Sequence, residues 1–227
     1  MDFDLKLIDG YLTIYCSKNL EEFSKDFIEY FNNNIDNIKN KLNIKENINL
    51  VVALTDDKKQ AGFVYGESDF SGFFNDTGAF AYININGKRS KESMFKGLMH
   101  ELVHHFYKYY VYGENKKRIT WVDEGLADFF SGKKEELEDS QKFQEFINKN
   151  LVNNKDINLN ELNHKDKSFG FKNGYNLSYI AIRFLYETND YENFINIISN
   201  YDYLIEIGNT ILNDAYNYYC YKNSKRQ

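Results

Sequence analysis

Residues 91–110 read KESMFKGLMHELVHHFYKYY. Phe95, Leu98, Met99, Leu102, Phe106 and Tyr109 recur there at three- and four-residue intervals, the period of one face of an α-helix. Ser90 stands where a side-chain oxygen can accept from the first free amides of such a helix. Gly113 and the charged run ENKKR (114–118) close it. The stretch predicts a helix from about Lys91 to Tyr110, and the chain changes character across it.

Upstream the pattern is mixed. FDLKLI (3–8) and YLTIYC (11–16) alternate apolar and polar residues on either side of Asp9-Gly10, a strong hairpin signal. Leu20, Phe23, Phe27, Tyr30, Phe31, Ile35 and Ile38 then fall on one helical stripe over about 17–42, with Ser17 as its expected cap. NLVVAL (49–54) and AFAYINI (79–85) read as strands. Residues 60–77, rich in Gly, Ser, Asp and aromatics, read as loop with strand pieces. Downstream the pattern is helical, near 122–130, 139–149, 174–188, 190–200 and 203–219, with a polar, irregular stretch over 152–173. This predicts an α+β fold: an N-terminal lobe over 1–111 with a mixed sheet and the 91–110 helix, and a helical lobe over 112–227.

Composition narrows the classes. The 227 residues carry 28 Lys and Arg against 34 Asp and Glu, a net charge of −6, which argues against nucleic acid as a partner. No apolar run nears the roughly 18 residues that span a bilayer, so no membrane partner is expected. The first ten residues, MDFDLKLIDG, hold three acids and no apolar core, unlike a signal peptide; a cytoplasmic location is the expectation. Cys16 and Cys220 are too few for a disulfide scaffold. The complete lack of proline, with heavy use of Asn, Ile, Lys, Tyr and Phe, reads as codon bias rather than function.

Chemistry concentrates at His100-Glu101-Leu102-Val103-His104. Positions i and i+4 share a helix face one turn apart, so two imidazoles can converge on one metal ion. Glu101 lies beside that face, within reach of a water at the metal rather than of the metal itself. Three of the four histidines of the chain fall within 100–105; His105 points about 100° away from His104 and is not expected to be a ligand. The third ligand has to come from elsewhere. In Trp121-Val-Asp-Glu-Gly-Leu-Ala-Asp128, Glu124 follows His104 by twenty residues, with Asp123 as the alternative. Asp128, one turn beyond Glu124, could hydrogen-bond the outer nitrogen of a ligand histidine. Two histidines and one glutamate leave a fourth position open, the catalytic pattern of zinc, with one Zn²⁺ per chain expected.

HELVH followed by WVDEGLADFF resembles the gluzincin zinc peptidases, the clan of thermolysin and the zinc aminopeptidases, and in particular small bacterial peptidase-like domains with a WxxEGxA segment. The specific likeness covers residues 100–130. It implies a zincin-like fold with the active site in a cleft between the two lobes, and a peptide or protein substrate. It implies a strand at the rim of that cleft, for which 79–85 is the expected segment, with Ala79, Phe80, Ala81 and Tyr82 binding substrate main chain. It also implies a hydroxyl or imidazole that stabilises the oxyanion. Tyr175, opening a predicted helix some fifty residues past Glu124, matches that position; Tyr179 is the alternative, and His164 could serve as a downstream histidine does in thermolysin-like enzymes, although a solvent-exposed loop residue is the plainer reading. The rim segment Gly78-Ala-Phe-Ala-Tyr82 lacks the acid with which aminopeptidases hold a free amine, which favours an endopeptidase. The competing expectations are a metal-binding domain that no longer cleaves peptides, disfavoured by the intact Glu101, and a metal-free interaction protein.

Overall fold

The N-terminal hairpin forms with its turn one residue later than Asp9-Gly10. Asp9 is still paired, with Leu12, and the two turn residues are Gly10 and Tyr11. Gly10 has φ +53°, a conformation that favours glycine at the first turn position. In this computed structural model the described residues are 3–46, 49–60, 68–75, 78–113, 117–164 and 166–224. They divide into two compact units, Met1–Phe106 and Tyr107–Gln227. The fold is α+β.

The first unit is a five-stranded mixed sheet with two helices. The strands are β1 (Leu5–Asp9), β2 (Leu12–Cys16), β3 (Leu50–Thr55), β4 (Phe70–Asn75) and β5 (Gly78–Ile83). Their order across the sheet is β1-β2-β3-β5-β4. The hairpin and the β4–β5 pair are antiparallel, whereas β2–β3 and β3–β5 are parallel. Helix α1 (Glu21–Lys41) makes the crossover between β2 and β3 that a parallel pair requires. Its stripe is buried as predicted at Leu20, Phe23, Phe27, Phe31, Ile35 and Ile38. Ser17 does not cap it through its side chain; its hydroxyl donates to Asp56 Oδ1 at 2.7 Å.

Register aligns Ile14 with Val52 and Ala79, and Cys16 with Leu54 and Ala81, on one buried sheet face. Helix α2 (Lys91–Phe106) packs against β4 and β5. Phe95 joins the two helices, its ring 5.0 Å from Phe23, 5.6 Å from Phe27 and 5.3 Å from Tyr30. Gly97 lets β4 approach, since a Cβ there would lie 2.7 Å from the Phe70 ring. Beyond Phe106 the predicted helix does not simply run to Tyr110. It widens into π-helical turns over Tyr107–Tyr112, and Gly113, with φ +99°, ends it.

The expected rim strand is corrected by the topology. β5, the segment carrying Ala79, Phe80, Ala81 and Tyr82, is interior: β3 occupies one of its edges and β4 the other, and every residue of it is buried. Its backbone is already committed and cannot accept an added peptide strand. β4 is the edge strand on that side of the sheet.

The second unit is helical: α3 (Thr120–Phe130), α4 (Ser140–Asn150), α5 (Ser168–Phe171), α6 (Gly174–Thr188), α7 (Tyr191–Ser199), α8 (Tyr201–Ile207) and α9 (Ile211–Ser224). The helix predicted over 203–219 is two, broken at Gly208-Asn209-Thr210. Leu159, Phe169, Leu177, Ile180 and Phe194 are fully buried in this unit. Among its described residues, the polar stretch 152–173 holds a single turn of tight helix at Leu159–Glu161 and the four-residue α5. Among the described residues no helix is long and apolar enough to cross a membrane.

Candidate metal centre

The start of α2 is fixed by Asp69 and Ser90. Asp69 accepts from the amides of Lys88 (2.6 Å) and Arg89 (3.0 Å) and from the Asn84 side chain (2.8 Å), which ties the turn after β5 to the residue before β4. The Ser93 amide donates to Ser90 Oγ at 3.2 Å, the cap expected from the sequence. About two turns past Ser93, His100 and His104 are both buried, their ring centroids 4.8 Å apart and their planes at 85°. Phe74 of β4 lies 6.4 Å from His104 and 5.6 Å, edge-on, from His105. His105 thus packs against an aromatic ring, in keeping with its expected exclusion from the ligands. Glu101 faces Gly72 of β4, where a Cβ would stand 3.1 Å from Glu101 Cγ. Glu101 is half-buried, and among the described residues its carboxylate makes no hydrogen bond or ion pair.

Three carboxylates stand on α3 of the second unit. Asp123, Glu124 and Asp128 are all buried on α3, where charge is tolerated only with partners. Arg118 bridges the first two: Nε donates to Asp123 Oδ2, and Nη2 donates to Glu124 Oε1 at 2.9 Å. His164 Nε2 lies 3.0 Å from the same Glu124 oxygen. Asp128 faces Lys133 at 3.4 Å and Lys134 at 3.5 Å. Burial pushes Arg118 down, and the two carboxylates overcome this and hold its pKa above the ordinary value. α3 lies tightly on α6 because Gly125 has no side chain; a Cβ there would be 2.6 Å from the Ser178 carbonyl oxygen.

Among the described residues, His100, His104 and Glu124 form one buried group whose candidate ligand atoms lie within 4.8 Å of one another. Two imidazoles and a carboxylate are chemically suited to a divalent ion, so this group could hold a metal. Asp123, the alternative ligand, is outside the group and is held by Arg118. Tyr179, the alternative to Tyr175, is buried in the core of its unit, where its hydroxyl accepts from Arg183 Nη1 at 3.4 Å. Tyr175 is 41% exposed, with its ring edge-on to Phe169 at 4.9 Å and 5.9 Å from His164. His164 is an exposed loop residue, the plainer of the two sequence readings, yet its Nε2 lies on Glu124 and its ring is 4.7 Å from the Phe169 ring.

Arg118, Lys133, Lys134 and Gly72 were not anticipated. For Arg118 the signal was present, a cation five and six residues before two acids on a strongly apolar helix. For Gly72 there was none, because its importance comes from register against α2. No family model matches the chain, and no curated protein does.

Proposed function

We propose that the chain is a zinc-dependent peptidase, with His100, His104 and Glu124 as the metal ligands and Glu101 as general base. The observation that carries the reading is a half-buried carboxylate, Glu101, without a hydrogen bond or ion pair among the described residues, on the same helix turn as two buried histidines that belong to a candidate metal group with Glu124. A carboxylate kept from cations can take up and release a proton. Zinc at this group would acidify water and polarise a scissile carbonyl. Glu101 accepts the proton of the attacking water and passes it to the leaving amine. Arg118 and His164 hold one oxygen of Glu124 and so orient the ligand carboxylate. Asp128, anchored by Lys133 and Lys134, is assigned a supporting role toward a ligand histidine. Tyr175 and His164, on neighbouring rings, are the two candidates to donate to the developing oxyanion. The edge strand β4 takes over the substrate role expected of β5, and an extended peptide adding to it would pass beside Gly72 and Glu101. The absence of an amine-binding acid on either strand favours endopeptidase action.

The test is hydrolysis of a broad peptide library by the zinc-loaded protein and by Glu101→Gln. The wild type should cleave, and the variant should keep its zinc while losing about 10²–10⁴-fold in turnover. Full turnover in the variant would remove Glu101 from the mechanism. Tyr175→Phe and His164→Gln then identify the oxyanion donor: loss of kcat with little change in KM marks it.

A further inference from the structure

A cavity of about 540 Å³ lies within the second unit, in the size range of small-ligand pockets. Arg118 and His164 line it, and both touch Glu124, so the cavity adjoins the third ligand. Its wall is held in place: Asn160 accepts from the Trp121 indole at 3.2 Å and donates to the Ile205 carbonyl at 2.7 Å, which uses both ends of its amide. Leu159, Leu162 and Ile205 add aliphatic surface, and Thr120, Asn163 and Tyr201 add polar groups.

The charged residues of the lining are Lys117 and Arg118, and among the described residues no carboxylate lines it, although Arg118 is paired with Asp123 and Glu124 beside it. Arg118 has five N–H donors. Two are engaged, at Asp123 and Glu124, and among the described residues the remaining donors, both of those on Nη1 included, have no partner. Lys117 makes no ion pair among the described residues. The cavity therefore presents spare donors of Lys117 and Arg118 beside a wall that is aliphatic in part. Its complement is an anionic acceptor on a short aliphatic stem.

We propose that this cavity is a specificity pocket for a substrate carboxylate, read by Lys117 and Arg118. The proposal rests on the peptidase reading for what the bound group belongs to. The carboxylate can come from an acidic side chain or from a peptide's own C-terminus. The pocket's occupancy can be read without turnover, because Trp121, the single tryptophan of the chain, lines it.

The experiment titrates the full chain with two pairs of short blocked peptides and follows Trp121 fluorescence. One pair differs as Glu against Gln, both amidated; the other differs as free acid against amide, with no acidic side chain. Zinc content and the same peptides' hydrolysis are measured in parallel. One charged member should bind about tenfold tighter than its neutral partner, the scale of one charge-assisted hydrogen-bonded contact. The pair that shows the difference identifies the source of the carboxylate. In Lys117→Gln the preference should fall at unchanged zinc content, and in the Lys117→Gln, Arg118→Gln double variant it should vanish. Equal affinities within both pairs, no fluorescence response to any member, or a preference that survives the double variant would overturn the pocket. Hydrolysis without charge preference removes the pocket and leaves the peptidase. Charge-selective binding without hydrolysis of any peptide removes the peptidase and leaves an anion-binding pocket.

Discussion

Replacing Gly125 by alanine should destabilise the protein, although in an open helix the same change stabilises. Gly125 is interior to α3, where alanine gains about 1 kcal/mol of helix propensity over glycine. Here the new methyl would stand 2.6 Å from the Ser178 carbonyl oxygen, 2.9 Å from its carbon and 2.6 Å from Ile182 Cγ1. Two of those atoms are backbone of α6 and cannot rotate away, so α6 has to retreat by about 0.4 Å before even the tightest ordinary contact, 3.0 Å, is restored. Overpacking of this kind costs about 1–3 kcal/mol, with backbone clashes toward the upper end. The net loss is then about 1–2 kcal/mol, or a Tm lower by about 2–8 °C for a chain of this size. The assay is thermal unfolding by circular dichroism in the presence of chelator, so that metal linkage does not mask the change. Gly170→Ala is the control: nothing lies within 4 Å of a Cβ there, so its Tm should hold or rise. A Tm for Gly125→Ala equal to or above wild type would refute the close α3–α6 crossing and the way it places Glu124.

Two further perturbations probe the first unit. Gly72→Val should lower turnover at unchanged zinc content, because the side chain presses on Glu101 Cγ from 3.1 Å; an unchanged kcat would separate β4 from the base. Asp69 has its carboxyl pulled below the ordinary range first by the Arg89 amide, and further by the Lys88 amide and the Asn84 side chain, against some desolvation. A depressed folded-state pKa adds stability that is complete above the unfolded value of about 4 and is lost as pH falls through the folded value. The advantage of wild type over Asp69→Asn in urea unfolding should therefore be constant near neutral pH and shrink below about pH 4. An advantage independent of pH would show that the charge of Asp69 does not hold the turn before α2.

Where hydrophobic period and cap chemistry were strong, the sequence was sufficient. Phe95, Leu98 and Leu102 with Ser90 located α2, and the 174–188 helix was read to the residue. The donor set was legible because helical i, i+4 geometry is a local property, and Glu124 joined it through a spacing of twenty residues. Sheet order was not legible. Whether β4 or β5 is the edge depends on which strands pair over long range, and the large-small alternation of AFAYINI fits an interior strand as well as a rim. The place of His164 was hidden for the same reason: forty residues separate it from Glu124, and a lone histidine in a polar stretch carries no period. Arg118 shows a third limit. Its adjacency to two acids was visible, but only their burial makes the pairing obligatory.

The most direct test of the central claim is metal content by elemental analysis, on protein purified without a metal-binding tag, for wild type and Glu124→Ala. The expected result is about one zinc per chain in the wild type and a much reduced content in the variant, with both folded by circular dichroism. Wild-type protein that stays metal-free after incubation with zinc, or a Glu124→Ala variant that holds zinc as tightly as the wild type, would contradict the proposed ligand set.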